Sequence, residues 1–313
     1  MSQKGTFKMA ITKAIVPIAG IGTRLFPTTK VLPKEILPVG RLPIVQRVVE
    51  ELISAGINQI LFVTNRSKNI IENHFDDYSE LKMDVKQEQD PRITESSFDF
   101  GNAGIHFFSI RQPITKGHSK PNDTWVAVLA AENLVDQEPF VVAFGDSLIR
   151  STKSPSLLER LIESHRKHQS ETTIASYEVA EDMMRNYGIL TIDPHEVHAT
   201  NSRVVSIIEK PRPKDTPSRL AIGGRYVFNS DIFTRIRQIN PASNKELYLT
   251  DAIAKQIKIG KIVRTLKLGN KDTRYDVGHH LAYFKTFIDY ALADSEFGNE
   301  MRSYVKERLK SRD

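Results

Sequence analysis

The chain has 313 residues, 40% hydrophobic and 26% charged, an ordinary globular composition with length for one large α/β domain or a domain with a smaller partner. It has no cysteine, which excludes disulfides, thiolate metal sites and cysteine nucleophiles and suits a reducing, cytoplasmic setting. The formal charge of +6 is spread along the chain without a nucleic-acid reading motif, and no run approaches the roughly 20 apolar residues of a membrane helix. Neither nucleic acid nor a membrane is therefore expected as a partner.

The elements follow from periodicity. Thr12 to Ile18 reads as a first strand rather than a signal peptide, because a glycine loop follows at once. Pro17 inside it argues against a central place in a sheet. Pro43 to Ala55 reads as a helix, with Ile44, Val45, Val48, Val49, Leu52 and Ile53 on one face and Gly56 as its C-cap. The strand INQILFVT and a helix from Ser67 to about Phe75 come next. Lys82 to Asn102 is polar and irregular and reads as a loop. IHFFSI, PFVVAFG and TTIASYEV read as strands, with helices near Asp123–Leu134 and Ser154–His168 between them. Strands alternating with crossover helices predict a doubly wound, mostly parallel, Rossmann-like sheet.

After about residue 186 the pattern becomes α+β. YGILTID, RVVSIIEK and AIGGRYVF read as strands, and LTDAIAKQI, HHLAYFKTFIDYALA and EFGNEMRSYVKERLK as helices. No repeat or low-complexity linker separates the two parts. The expected division is an α/β core over 10–186 and a second, C-terminal part over 187–313 of the same compact body.

Four short constellations carry chemistry. In Ala19-Gly20-Ile21-Gly22-Thr23-Arg24, glycines after a strand let the backbone approach a phosphate, and Arg24 adds a planar permanent cation. The third glycine of a dinucleotide fingerprint and the Gly-Lys-Ser/Thr ending of a Walker loop are both absent, so a tight turn explains the segment equally well. The continuation LFPTTKVLPKEILPVGRLPI holds four prolines and places Lys30 and Lys34 close behind Arg24. Asp146, in FGDSLI, follows an apolar strand, where a carboxylate is placed either for a divalent cation or merely to cap a turn. Glu209-Lys210-Pro211 leaves another apolar strand. Glu209 there can accept from hydroxyls and Lys210 can hold a phosphate, although two solvated charges at a strand end fit as well. The nine histidines need no catalytic role, and His279 and His280 read as structural.

Taken together, Gly20-Ile21-Gly22-Thr23-Arg24 and Pro33-Lys34-Glu35-Ile36-Leu37-Pro38 resemble the signature of the bacterial UTP–glucose-1-phosphate uridylyltransferase family. The likeness continues through VTNRSKNIIENHFD (63–76), Tyr187-Gly188, Glu209-Lys210-Pro211, GRYVF (224–228), ELYLTDAI (246–253) and YDVGHHLAYFKTFIDYAL (275–292). The resemblance implies a nucleotidyltransferase that makes UDP-glucose and pyrophosphate from UTP and glucose 1-phosphate, as a homo-oligomer, dimer or tetramer. It implies catalytic roles for Arg24, Lys34 and Lys210, and nucleotide contacts from Ala19, Gly20, Gly22, Thr23, Glu35, Gln112 and Gly117. It further implies hexose contacts from Gly188 and Glu209, with Mg2+ held by Asp146 and Asp276.

One segment departs from the family. Its Gly-His pair before Ala127 is replaced by Trp125-Val126, with extra residues inserted after Arg111-Gln112-Pro113-Ile114-Thr115-Lys116-Gly117-His118. A lengthened loop with retained activity, an altered base choice such as a thymidylyltransferase, and a non-catalytic regulatory paralogue are the three readings open at that point.

Overall fold

The computed structural model describes residues 10–76, 100, 103–114, 123–239 and 248–310. Its centre is a nine-stranded sheet. In chain order the strands are β1 (Lys13–Pro17), β4 (Gln59–Thr64), β5 (His106–Arg111), β6 (Phe140–Ala143), β8 (Thr172–Glu178), β9 (Gly188–Ile192), β10 (Asn201–Glu209), β11 (Leu220–Phe228) and β12 (Val263–Lys267). Two small ribbons sit beside it: β2 (Pro38–Val39) with β3 (Leu42–Pro43), and β7 (Ser147–Ser151) with β13 (Asp272–Asp276). The large sheet runs β5-β4-β1-β6-β11-β8-β12-β10-β9.

The α/β class holds, and the parallel order expected of it holds from β5 through β4 and β1 to β6. Beyond β6 the sheet is mixed, so mostly parallel describes only its first half. Strand β11 is antiparallel to β6 and β8, β10 is antiparallel to β9 and β12, and β12 runs parallel to β8. An antiparallel neighbour needs no crossover helix. Strands β9, β10 and β11 accordingly follow one another through loops that each hold one three-residue 3-10 turn and no crossover α-helix. The sheet crosses the division at 186/187, since β11 lies between β6 and β8.

Helices cover both faces. Helix α1 (Ile44–Ser54), α2 (Asn69–Phe75) and α5 (Leu157–Lys167) pack on one side with Ala14, Val16, Val141 and Ala143. On the other, α3 (Thr124–Ala130), α4 (Glu132–Val135), α6 (Asp231–Arg237) and α7 (Leu249–Lys258) pack with Ile15, Phe140 and Val142. The alternation of β1 and β6 residues between the two cores is the period of two that a strand imposes. Helix α1 ends in a Schellman motif: Gly56 has φ +88, its N–H donates to Ile53 O at 2.9 Å, and Ile57 N–H reaches Leu52 O at 3.1 Å. Helix α5 starts with a reciprocal cap between Ser156 and Glu159.

Pro17 proves compatible with a central strand because it is the last residue of β1. Pairing with β6 stops at Ile15, and the next N–H, that of Ile18, bonds Val63 O at 2.9 Å. The stretch Lys82–Asn102, read as a loop, lies outside the described residues apart from Phe100. Two helices close the chain, α8 (His280–Leu292) and α9 (Gly298–Lys310). Among the described residues no helix is long and apolar enough to cross a membrane.

Candidate active site

The first three strands laid down in the parallel half run outward from β1 through β4 to β5, and the chain then returns to place β6 on the other side of β1. The crevice above the carboxyl ends of β1 and β6 is therefore a topological switch point, where open α/β sheets bind ligands. Ala19 and Gly20 follow β1 into it, Asp146 follows β6, and Gln112 follows β5. These residues and Lys34, Glu35, Asp123 and Thr124 line a cleft of about 280 Å³.

The glycine loop is folded by its own residues. Gly22 stands at φ +74 before a single 3-10 turn, Thr23–Leu25, and a Cβ on it would press on Thr29 and Lys34. Thr29 Oγ1 donates to Gly22 O at 2.8 Å, and Asn65 Nδ2, after β4, donates to Ala19 O at 2.5 Å. Gly22 and Thr23 shape this loop and do not line either cavity.

A cavity of about 380 Å³ adjoins the cleft and shares Asp123, Thr124, Phe144 and Asp146 with it. Its other walls include Arg24, Gly188, Glu209, Lys210, Arg274 and Asp276. The sheet register explains why distant motifs meet here. Gly188 and Glu209 face each other across β9 and β10, and Lys210 N–H donates to Tyr187 O at 3.0 Å. A Cβ on Gly188 would come within 3.0 Å of Ile222, Thr250 and Glu209. Thr250, in the first turn of α7, donates to Glu209 Oε2 at 3.0 Å. Lys210 has φ +47, a backbone region unfavourable for a residue with a Cβ, and its ammonium reaches Tyr248 OH at 3.0 Å.

The charged groups are coupled. Lys34 Nζ bonds and ion-pairs with Asp146 Oδ2. Burial works against the charge on Lys34, but the Asp146 and Glu35 carboxylates outweigh it and hold the ammonium above its ordinary value. Burial likewise opposes ionisation of Asp146, yet Lys34, with a smaller contribution from Arg274, holds this carboxyl below its usual range. Behind them Glu35 and Lys68, both almost fully buried, pair at 2.5 Å. Burial dominates that pair, raising the carboxyl and lowering the ammonium. Glu35 thus backs the cleft with its carboxylate engaged by Lys68.

Asp276 pairs in register with Ser147 across the β7–β13 ribbon, which brings it beside Asp146. Its oxygens accept from Tyr187 OH at 3.2 Å and from Gly278 N–H at 3.1 Å. Arg274 approaches the same carboxylate at 3.5 Å while stacking over Tyr177 at 4.7 Å. Among the described residues no group of three or more carboxylates and histidines converges. Two carboxylates facing one cavity, with cations around them, are nevertheless a donor set that suits Mg2+, which takes one or two carboxylates and completes its shell with water and phosphate oxygens.

Of the expected site residues within the described part, all but Gly22 and Thr23 line one of the two cavities. Gly117 lies outside the described residues. His279 caps α8 through its ring, and His280 bonds Phe26 O at 3.0 Å, so both are structural as expected. Residues that sequence reasoning missed are Lys68, Asp123, Tyr187, Tyr248, Thr250 and Arg274. Lys68, Tyr187, Tyr248 and Thr250 lie inside segments recognised for the family likeness but were given no role there, whereas Arg274 is a single cation without a spacing signal.

The chain matches the nucleotidyl transferase family over residues 13–292. It is 37% identical to a UTP–glucose-1-phosphate uridylyltransferase of Streptococcus pyogenes serotype M3, over 94% of this chain and 95% of that protein. It is 35% identical to the Bacillus subtilis enzyme of that name, over 95% and 96%. The chain belongs to the UTP–glucose-1-phosphate uridylyltransferase family. The structure of a UTP-bound member from Acinetobacter baumannii superposes with a TM-score of 0.84 at 30% identity, covering 95% of this chain and 99% of that one. A UDP-glucose pyrophosphorylase complexed with UDP-glucose superposes at 0.76 and 31% identity, covering 91% and 100%. Of the departing segment, residues 115–122 lie outside the described residues, and its two described ends belong to the same uridylyltransferase fold. Val126 and Ala127 are buried in α3 and Trp125 packs against the same core, while Gln112 Nε2 ties the end of β5 to Asp123 O at 3.0 Å.

Proposed function

We propose that the protein joins UTP to glucose 1-phosphate, forming UDP-glucose and releasing pyrophosphate. The observation that carries this reading is the meeting of two motif sets at two contiguous cavities. The glycine loop, Lys34 and Asp146 stand on the nucleotide side, formed within 10–186. Gly188, Glu209, Lys210 and Asp276 stand on the sugar side, within 187–313.

The chemistry asks little of a general base. A phosphate monoester has its second pKa near ~6 and reaches neutral pH largely as the dianion. One of its oxygens bonds to the α-phosphorus of UTP as the bond from that phosphorus to the bridging oxygen of pyrophosphate breaks. What remains is to hold two anions in line and offset their repulsion. Lys34 faces the triphosphate beside the backbone of Ala19 and Gly20, in a loop shaped by Gly22 and Thr23, and Arg24 reaches the phosphates from the adjoining cavity. Lys210 holds the sugar phosphate, and its strained backbone aims the ammonium into the cavity. Glu209 accepts from sugar hydroxyls, and Gly188 leaves the ring the space that a Cβ would fill. Gln112 and Glu35, with Gly117, serve the nucleotide end. Asp146 and Asp276 would hold Mg2+, which when bound neutralises phosphate charge and orients the reacting oxygens. The protein acts as a homo-oligomer in the cytoplasm, with no nucleic acid or membrane partner.

The test is pyrophosphate release with glucose 1-phosphate and Mg2+, comparing UTP, dTTP, ATP, CTP and GTP. UTP is expected to be preferred, with activity lost in Asp146→Ala. Equal or faster turnover with dTTP would reassign the base. UDP-glucose binding without turnover on any triphosphate would favour a regulatory paralogue instead.

A further inference from the structure

Arg225 exposes none of its side chain, and a permanent charge in that position demands partners on every side. It lies in β11 where the register with β8 shifts between Ile222 and Tyr226, a bulge of the kind that re-aims side chains beside functional sites. Gly224 stands in this bulge at φ +84, and a Cβ on it would come within 3.2 Å of Ser147 Oγ and 3.4 Å of Phe144. The backbone of β11 is thereby pressed against the turn after β6. Tyr226 and Gly224 line the sugar-side cavity, while Arg225 reaches the other way, to α1.

The guanidinium holds four groups at once, one carboxylate and three carbonyls. It grips Glu51 of α1 as a fork, through Nε to Oε1 at 3.1 Å and Nη2 to Oε2 at 2.7 Å. Nη2 also donates to Ser147 O at 2.8 Å, and Nη1 to Phe144 O at 3.4 Å and Gly224 O at 3.2 Å. Phe144 and Ser147 are the two ends of the four-residue turn that presents Asp146. That turn is closed by Ser147 N–H to Phe144 O at 3.2 Å and hung on β11 by Phe144 N–H to Gly224 O at 3.0 Å.

We infer that Arg225, anchored by Glu51, is a positioning residue for the reaction: it clamps both ends of the Phe144–Ser147 turn from beneath and so fixes the carboxylate of Asp146 toward the metal and the α-phosphate. The inference rests on the reading of Asp146 as a metal ligand. A planar fork with five donors can span a carboxylate and two carbonyls, whereas a lysine ammonium is a single point that cannot. The charge is conserved in Arg225→Lys and the clamp is not, which separates the two roles.

The experiment compares Arg225→Lys, Glu51→Gln and Asp146→Asn in the full chain. Mn2+ binding in the presence of UDP-glucose is followed by electron paramagnetic resonance, alongside kcat, the KM for glucose 1-phosphate and the melting temperature. Arg225→Lys is expected to weaken Mn2+ binding and lower kcat at least tenfold, with that KM within twofold of the parent. Glu51→Gln, which keeps the carbonyl bonds and loosens the anchor, is expected to lose at least threefold in both. Mn2+ affinity and kcat within twofold of the parent in both variants, while Asp146→Asn loses both, would overturn the positioning role alone. Unchanged Mn2+ binding in Asp146→Asn would overturn the metal reading, and the inference with it. If Arg225→Lys does not fold, Glu51→Gln decides by the same criterion.

Discussion

Lys34 and Asp146 meet where the two cavities join, and each is placed by a different segment, a single 3-10 turn for the lysine and the turn after β6 for the aspartate. The pairing keeps both ionised despite burial, which is the state a triphosphate site needs. Substituting Lys34→Met leaves the volume and removes the cation. It is expected to lower kcat on the order of 10²- to 10³-fold, the scale of removing one preorganised electrostatic group. UDP-glucose affinity, read by calorimetry, should fall far less, and a kcat within threefold of the parent would refute the role. Gly188 supports a sharper prediction. In Gly188→Ala the methyl group meets Ile222, Thr250 and Glu209. The KM for glucose 1-phosphate is expected to rise roughly tenfold with the KM for UTP unchanged, since a displaced contact worth about 1.4 kcal/mol is a factor of ten. Equal changes in both constants would contradict a sugar-side place for this glycine. At this scale the sequence alone was ambiguous about each acid. Asp146 read as a metal ligand or as a turn cap, and only the family likeness paired it with Asp276. Their adjacency depends on the register of β7 with β13, two strands of which neither was foreseen. The roles of Arg274 and Lys68 were unreadable for the same reason, because a lone cation gains meaning only from what the fold packs against it.

Helix α5 shows how much of an element is legible and where legibility stops. Its N-terminus is written in Ser156 and Glu159, and the apolar spacing of Leu157, Leu158, Leu161 and Ile162 fixes the buried face. The buried His165 on the same helix could not be assigned from spacing. Its Nδ1 meets Thr173 Oγ1 of β8 at 3.0 Å and its Nε2 meets Oδ1 of Asn229, the residue after β11, at 3.1 Å. Burial holds its pKa below 6.5, outweighing the opposing bond to Asn229. The unfolded chain therefore binds the proton first as pH falls. This contribution to stability is complete above pH 6.5 and is lost as the pH drops below it, with a limiting slope of about 1.4 kcal/mol per pH unit. His74 is shifted the same way by burial, so His165→Gln is expected to shallow the slope rather than abolish it. Urea unfolding between pH 5 and 7.5 checks this, and an unchanged slope would place the titration elsewhere. Strand β12 is another element that sequence reading missed. Its VRTLK carries three polar residues in five, and the burial of Thr265 between β8 and β10 comes from hydroxyl bonds to Ile174 O and Ser176 that only the sheet supplies. The antiparallel insertion of β11 was equally unreadable, since strand order is a property of the closed sheet.

On the scale of the whole molecule, the two cores lie on opposite faces of one sheet, and the C-terminal helices stand outside both. Helix α8 turns Tyr283 and Tyr290 toward the core and buries only Thr286 among its thirteen residues. Its outer face carries Leu281, Phe284 and Ile288, a helical stripe of apolar residues that are 59%, 55% and 49% exposed. Phe26, just after the glycine loop and 57% exposed, continues the patch, and His280 binds its carbonyl. An apolar stripe of this extent, contiguous with the loop that carries Arg24, fits a second copy of the chain better than solvent. Substituting Leu281→Glu with Phe284→Glu is expected to shift the mass in sedimentation equilibrium to that of one chain, 35.5 kDa. Neither side chain is buried in the single chain, so its melting temperature, compared at equal protomer concentration, should fall only by what association itself contributes. Loss of activity on dissociation would follow from release of the Phe26 segment, because Arg24 lies two residues before it. A parent that sediments as one chain would refute this interface, as would a double variant that keeps the parental mass.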